Sequence, residues 1–353
     1  MSIHRPRQPW PILLLVLFSV GAHEVTAPVE RDWKQYPAIV TAPAPKILYA
    51  MGDVHGDYQK MIELLVAGKL IAGTPARPEA IQWAGADAVL VCTGDLIDKY
   101  SQNLNVIAAI RALQQSAAAA GGEVIVTLGN HEANFLASGG ETRKMTDFEQ
   151  ELKAAGISPV AVAEGTDANG IGAWLRNLPA GVKVGSWFFC HAGNTGGKTV
   201  SELETTIEKE VSAQGWSAPI LANPNSMLEA RMHPRPWWDY DGSEPRLKDV
   251  DPPETGDQID QNELSRLKSV VNGVGAAHLV FGHQPSGVKF MDGSERAAGQ
   301  MYTKYDGLVF LIDTGMSRGV QNGRGALLRI DASAPHPTAV AVYADGATTH
   351  LWP

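Results

Sequence analysis

The chain has 353 residues, 44% hydrophobic and 19% charged, which is ample apolar material for a core and too much for a disordered or low-complexity chain. A net charge of -9 argues against a sequence-independent grip on DNA or RNA, which draws on clustered positive charge, so no nucleic acid is expected as a stable partner. Two cysteines, Cys92 and Cys190, are too few for a disulfide framework or a thiolate metal site, and each ends an apolar run, so buried thiols are expected.

Taken in chain order, Arg5 and Arg7 precede the apolar stretch Ile12 to Val20, too short to span a bilayer, and Val20-Gly21-Ala22 has the small-x-small pattern of a signal-peptidase site. Residues 1–22 are therefore expected to be a signal peptide, with Val25-Thr26-Ala27 as a competing cleavage site, and the mature chain to be periplasmic or secreted. No membrane span is expected after its removal. Residues 23–353 are expected to form a single domain.

Residues 46–51 predict a strand and 58–67 a helix, and the alternation continues. Val89 to Thr93 is a strand, Leu104 to Ala120 a helix, Glu123 to Leu128 a strand and 146–155 a helical stretch. Trp187 to Cys190 and Ala277 to Phe281 are further strands. Leu308 to Ile312, Gly325 to Ile330 and Thr338 to Tyr343 are expected as consecutive antiparallel strands. The segment from about 219 to 258 is Pro-rich and weakly periodic, and reads as a long irregular insertion. Strands alternating with helices predict an α/β protein whose ligands gather at the carboxyl ends of its strands.

Several of these strand ends carry polar residues of one chemical kind. Asp53 and His55 lie in GDVHGD, Asp95 in GDLID, Asn130 and His131 in GNHE, His191 in CHAG and His283 in FGHQ, each motif after an apolar run and each residue within two positions of a glycine. Any one alone is an ordinary turn residue. Together they bring carboxylate, imidazole and amide oxygen to one rim, a donor mixture suited to Mn²⁺, Fe or Zn²⁺ rather than to Ca²⁺. Asp53, His55, Asp95, Asn130, His191 and His283 are too many for one open catalytic ion, which implies two divalent ions about 3.5 to 4 Å apart.

In this order the motifs resemble the calcineurin-like metallophosphoesterases, and more narrowly the bacterial, Shewanella-like or Rhizobiales-like branch of the phosphoprotein phosphatases. The resemblance covers about residues 46–318. It implies the metallo-dependent phosphatase fold, a two-sheet β-sandwich flanked by helices in four layers, α-β-β-α, over the whole mature chain. It further implies Asp53 and His55 on the first metal, Asp95 as the bridge, and Asn130, His191 and His283 on the second. Manganese is the expected metal, with iron and zinc as alternatives. Direct attack of a metal-bridging hydroxide on phosphorus is implied, with His131 protonating the leaving oxygen and Asp98 holding its ring. The expected substrates are phosphotyrosine, phosphoserine or phosphothreonine in a phosphorylated protein, or similar small phosphoesters.

The chain departs from the family where Asp-Arg-Gly is usual, with Asp98-Lys99-Tyr100 instead. Lysine pairs with phosphate as a point charge but lacks the bidentate fork of arginine. Arg231, Arg235 and Arg318 are the candidates to supply it alongside Lys99, and Trp237-Trp238-Asp239-Tyr240 reads as a packed lid or an aromatic wall. Asp313-Thr314-Gly315 resembles bacterial diadenosine tetraphosphatases, which keeps a bis-nucleoside polyphosphate or nucleotide hydrolase as an alternative. A catalytically idle phosphoester-binding protein is the other. Ala192 to Thr199 (AGNTGGKT) also satisfies a relaxed phosphate-loop pattern, but that reading explains one patch and leaves the five strand ends unexplained.

Overall fold

The computed structural model describes residues 30–232, 256–290, 293–333 and 337–353. In chain order its first half runs β1 (Ile39–Ala42), β2 (Ile47–Met51), α1 (Tyr58–Ala67), β3 (Val89–Cys92), α2 (Asn103–Ala120), β4 (Glu123–Val126), α3 (Asn130–Ala137), α4 (Asp147–Ala154), α5 (Pro159–Glu164) and α6 (Ile171–Arg176). There follow β5 (Gly181–Val184), β6 (Trp187–Cys190), α7 (Val200–Gln214), α8 (Pro219–Ala222), α9 (Gly256–Gly273) and β7 (His278–Phe281). The chain closes with β8 (Val288–Lys289), β9 (Glu295–Arg296), β10 (Tyr302–Lys304), β11 (Val309–Leu311), β12 (Ala326–Asp331), β13 (Thr338–Tyr343) and β14 (Thr348–Trp352).

Two mixed six-stranded sheets face each other, ordered β1-β5-β6-β7-β11-β10 and β14-β13-β12-β2-β3-β4, with β8 and β9 as a separate hairpin. Strand alternation explains the layering. Leu48, Ala50, Val89 and Val91 from one sheet and Val182, Phe189, Val280 and Phe310 from the other share the core between the sheets. Their neighbours Tyr49, Met51, Leu90, Phe188, Leu279 and Phe281 belong to the core packed with Leu65, Ile107, Leu203 and Val271 of the helices. Strands buried on both faces read as unbroken apolar runs, as VLVC and WFFC do. Cys92 and Cys190 are buried free thiols, and burial pushes each up to about 12.

The expected sandwich flanked by helices is the observed fold, with one correction to its final third. The strands at 309–311 and 326–331 are not neighbours: β11 pairs with β7 in parallel and with β10, while β12 pairs with β13 and β2. The chain between them crosses from one sheet to the other, which periodicity within a strand does not encode. The expected irregular insertion at 219–258 opens with α8, and the start of α9 lies at its far end. Arg235 and the Trp237 to Tyr240 cluster within it lie outside the described residues, as does the expected leader. Among the described residues no helix is long and apolar enough to cross a membrane.

Candidate active site

The carboxyl ends of β2, β3, β4, β6 and β7 meet at one rim. After β2 the chain turns through His55 at φ 45° and Gly56 at φ 66°, and the N–H groups of Val54 and His55 both donate to the Asp95 carbonyl, at 3.0 and 2.9 Å. After β3, Gly94 turns at φ 87° with no room for a side chain, since a Cβ there would lie 2.4 Å from the Gly129 nitrogen. After β4, Asn130 and His131 open helix α3, an element the sequence reading missed, and the N–H of His131 donates to Asp95 Oδ1 at 3.0 Å. The helix N-terminus thus faces a carboxylate, the arrangement its dipole favours.

Donor atoms converge there. His191 Nε2 lies 2.9 Å from Asn130 Oδ1, 3.0 Å from His283 Nδ1 and 3.3 Å from Asp95 Oδ2, and His55 Nε2 lies 3.5 Å from Asp95 Oδ2. The far nitrogens of these rings face carbonyl oxygens: His191 Nδ1 the Thr93 carbonyl at 2.8 Å, His55 Nδ1 that of Ile97 at 3.1 Å, and His283 Nε2 that of Glu229 at 3.2 Å. Each outer nitrogen gives its proton to a carbonyl, so on the neutral rings the inward nitrogens are the ones free to coordinate, a set that fits a cation once His191 gives up its second proton. Two clusters with metal-holding geometry result, His55 with Asp95 and His131, and Asp95 with His191 and His283, sharing Asp95. Asp53 is buried against the same rim and accepts the His283 N–H at 3.0 and 3.2 Å.

Electrostatics follow from this crowding. Burial and the nearby Asp313 carboxylate hold Asp53 well above the usual carboxylate range. Burial opposes a charged His191, but Asp95 outweighs it with help from Asp53, and the ring is pushed up to about 10. His55 falls to about 4 and His283 to about 2, chiefly through burial, with the Arg231 charge adding to the second. His131 Nδ1 lies 3.0 Å from Asp98 Oδ2, and although burial opposes it, Asp95 and Asp98 raise the ring above its ordinary value. The Lys99 charge pulls the other way, so Lys99, itself exposed, lies within electrostatic reach of this ring.

Several residues that position these groups had no assigned part in the sequence reading. Glu132 is fully buried, and its carboxylate accepts N–H bonds from Asp95 (2.9 Å), Leu96 (2.8 Å), Ile97 (3.2 Å) and Gly129 (2.9 Å), tying the β3 and β4 loops together. Burial and the Asp95 charge push it up to about 7, and acceptance from donors alone favours its ionised form. Asn103 accepts the Asp98 N–H at 2.7 Å and is held by Glu151, fixing a turn in which Asp98 and Lys99 both sit at φ 67°. The amide of Gln284 bonds both backbone groups of Met232, at 2.8 and 2.6 Å, which docks the exposed Arg231 segment beside His283. Arg296 is buried, and its guanidinium donates to the carbonyls of Gln284, Ser286, Gln300 and Asp313. Glu132 stood inside the GNHE motif, but its part in opening helix α3 was not expected; Asn103, Glu151 and Arg296 carry no local signal at all.

Arg318 is not a free surface charge but is paired with buried Asp57, Nη2 to Oδ1 at 2.7 Å. Lys198, in the phosphate-loop look-alike, precedes a helix whose N-terminus is already satisfied: the Thr199 hydroxyl accepts the Glu202 N–H and Glu202 accepts the Thr199 N–H at 2.8 Å. A carboxylate stands where a nucleotide phosphate would need to lie.

The calcineurin-like phosphoesterase family model matches residues 48–287. Among curated relatives, Shewanella-like protein phosphatase 2 of Arabidopsis thaliana is 32% identical over 88 residues, covering 25% of this chain and 21% of that protein. A symmetrical bis(5'-nucleosyl)-tetraphosphatase of Methylococcus capsulatus is 31% identical over 153 residues, covering 41% of this chain and 42% of the other. The chain therefore spans less than half the length of these relatives. The cold-active protein-tyrosine phosphatase of a psychrophilic Shewanella superposes with a TM-score of 0.62 at 20% identity, covering 89% of this chain and 83% of that one, which is a likeness of fold. With the motif order, the two-sheet sandwich and the convergent donors already described, the family match leads to one conclusion: this chain belongs to the calcineurin-like metallophosphoesterases.

Proposed function

We propose that the chain is a metal-dependent phosphomonoesterase acting on phosphotyrosine, phosphoserine, phosphothreonine or similar small phosphoesters. The observation that carries this reading is the His131–Asp98 pair at 3.0 Å beside the convergent donors. A protein that only captured phosphate would have no use for a proton donor aimed at the same rim. Asp53, His55 and Asp95 would hold one ion, and Asp95, Asn130, His191 and His283 the other, with manganese the first choice for this mixed nitrogen and oxygen set. When bound, the two ions supply Lewis-acid charge that neutralises phosphoryl oxygens and make a water nucleophilic at neutral pH.

The chain's own residues do the rest. Asp98 accepts the His131 Nδ1–H, which turns Nε2 outward and favours the charged ring, so that His131 gives its proton to the departing alkoxide or phenoxide. Lys99 and Arg231 add positive charge at the approach to the rim. A second reading, hydrolysis of bis-nucleoside polyphosphates, draws on the 31% identity to the Methylococcus capsulatus tetraphosphatase. The leader read at residues 1–22 would put either activity in the periplasm or outside the cell.

Hydrolysis of an aryl phosphate and of a dinucleoside tetraphosphate, after chelation and again with Mn²⁺ restored, tests the proposal. Metal-dependent turnover of the aryl phosphate in clear preference is expected. Preference for the dinucleotide would transfer the assignment to the second reading, and two bound ions with no turnover would make the chain a binding protein.

A further inference from the structure

The segment that crosses between the sheets, from β11 to β12, brings Arg318 to the loop that carries His55. The Ser317 hydroxyl donates to the His55 carbonyl at 3.1 Å. Arg318 then donates three bonds to Asp57, from its backbone N–H at 2.9 Å, from Nε at 2.9 Å and from Nη2 at 2.7 Å. Asp57 is fully buried and also caps helix α1, accepting the Lys60 N–H. The guanidinium carbon lies 4.6 Å from the centroid of the Tyr100 ring. A buried carboxylate on one edge and an aromatic ring on one face leave the edge bearing Nη1 outside the pair, on a side chain that is 34% exposed.

The same crossing segment touches the departure in the second motif. A Cβ on Gly319 would fall 1.8 Å from the Lys99 carbonyl, so the backbones meet there with no side chain between them. Arg318 therefore stands beside Lys99-Tyr100, where the motif has lost its arginine. Its guanidinium is oriented before any ligand arrives, so little side-chain entropy is lost on binding.

We propose that Arg318, held by Asp57 and backed by Tyr100, is the guanidinium donor to the substrate's phosphoryl oxygens, replacing by position the arginine absent at Lys99. This rests on the phosphatase reading and adds to it a division of labour: Lys99 contributes charge and Arg318 direction. Because Asp57 offsets the Arg318 charge, what Arg318 adds is the placement of its N–H groups. A lysine at 318 has a single nitrogen for both tasks and lacks the planar fork in which one edge holds Asp57 while another nitrogen faces outward.

The test compares wild type with Arg318→Gln, Arg318→Lys and Tyr100→Leu, each loaded with Mn²⁺. It measures KM and kcat for an aryl phosphate, equilibrium binding of inorganic phosphate by calorimetry, metal content and melting temperature. Both Arg318 variants are expected to weaken phosphate binding and raise KM about tenfold, with metal content unchanged. Tyr100→Leu keeps the Asp57 pair and is expected to weaken phosphate about threefold, which preserves a test should the Arg318 variants fail to fold. Lys99→Arg in the Arg318→Gln background should recover part of the loss. Phosphate binding within twofold of wild type in these variants, Arg318→Lys behaving as wild type, or weakened binding that merely tracks lost metal would each overturn the proposal. Absence of turnover in wild type would overturn the phosphatase reading instead, and phosphate calorimetry would still report on Arg318.

Discussion

His131 and His191 occupy one rim, and neighbouring carboxylates raise both rings, but the two have different tasks. His131 is paired to Asp98 through one nitrogen, and His131→Ala is expected to lower kcat by about 10² to 10⁴-fold, the range for a lost general acid, while both ions stay bound. Metal analysis beside turnover checks this, and loss of metal in that variant would make His131 a ligand, as its place near His55 and Asp95 allows. His191 is wrapped by Asp95 and Asp53 and in the metal-free chain keeps a proton up to about pH 10. An incoming ion has to displace that proton, so metal affinity should fall as pH drops through the neutral range and each binding event should release protons. Calorimetry of Mn²⁺ binding in buffers of different ionisation enthalpy measures the release. At this scale the convergent donors were readable because each follows an apolar strand with a glycine within two residues. Arg296 was not, because its acceptors are carbonyls brought in by the fold from Gln284 to Asp313.

Loops rather than strands set the spacing of the site. Gly129 leaves no room for a side chain, since a Cβ would lie 2.2 Å from the Asp95 nitrogen and 2.3 Å from its carboxylate. Gly129→Ala is expected to push the β3 and β4 loops apart and abolish tight metal binding. Gly121→Ala, at φ 83° after α2 with nothing near its Cβ, should cost only about 1 kcal/mol and leave metal binding intact. Equal metal loss in both would show that general destabilisation, not loop spacing, governs the site. Helices α1 and α2 and strands β2, β3, β6 and β13 were legible to within a residue or so, because their burial patterns are periodic or unbroken. Helix α3 was hidden because its first turn carries the site chemistry, and the pairing of β11 was missed because a crossing between sheets leaves no trace in local periodicity.

The whole molecule places Asp53, Asp95 and Asn130 after strands of one sheet and His191 and His283 after strands of the other. Free metal at about a hundred times its dissociation constant should add roughly 2.7 kcal/mol to stability, and chelation should lower the melting temperature correspondingly. An unchanged melting temperature would mean the donors do not bind an ion in the native fold. The sandwich itself was legible from alternating strands and helices together with the motif order, whereas which strand joins which sheet depends on pairing between distant segments. Because donors from both plates meet at this rim, bound ions would act as a rivet against shear of one sheet over the other. Amides at the ends of β3 and of β6 should therefore slow their hydrogen exchange in step on loading, as one mechanical unit, rather than sheet by sheet.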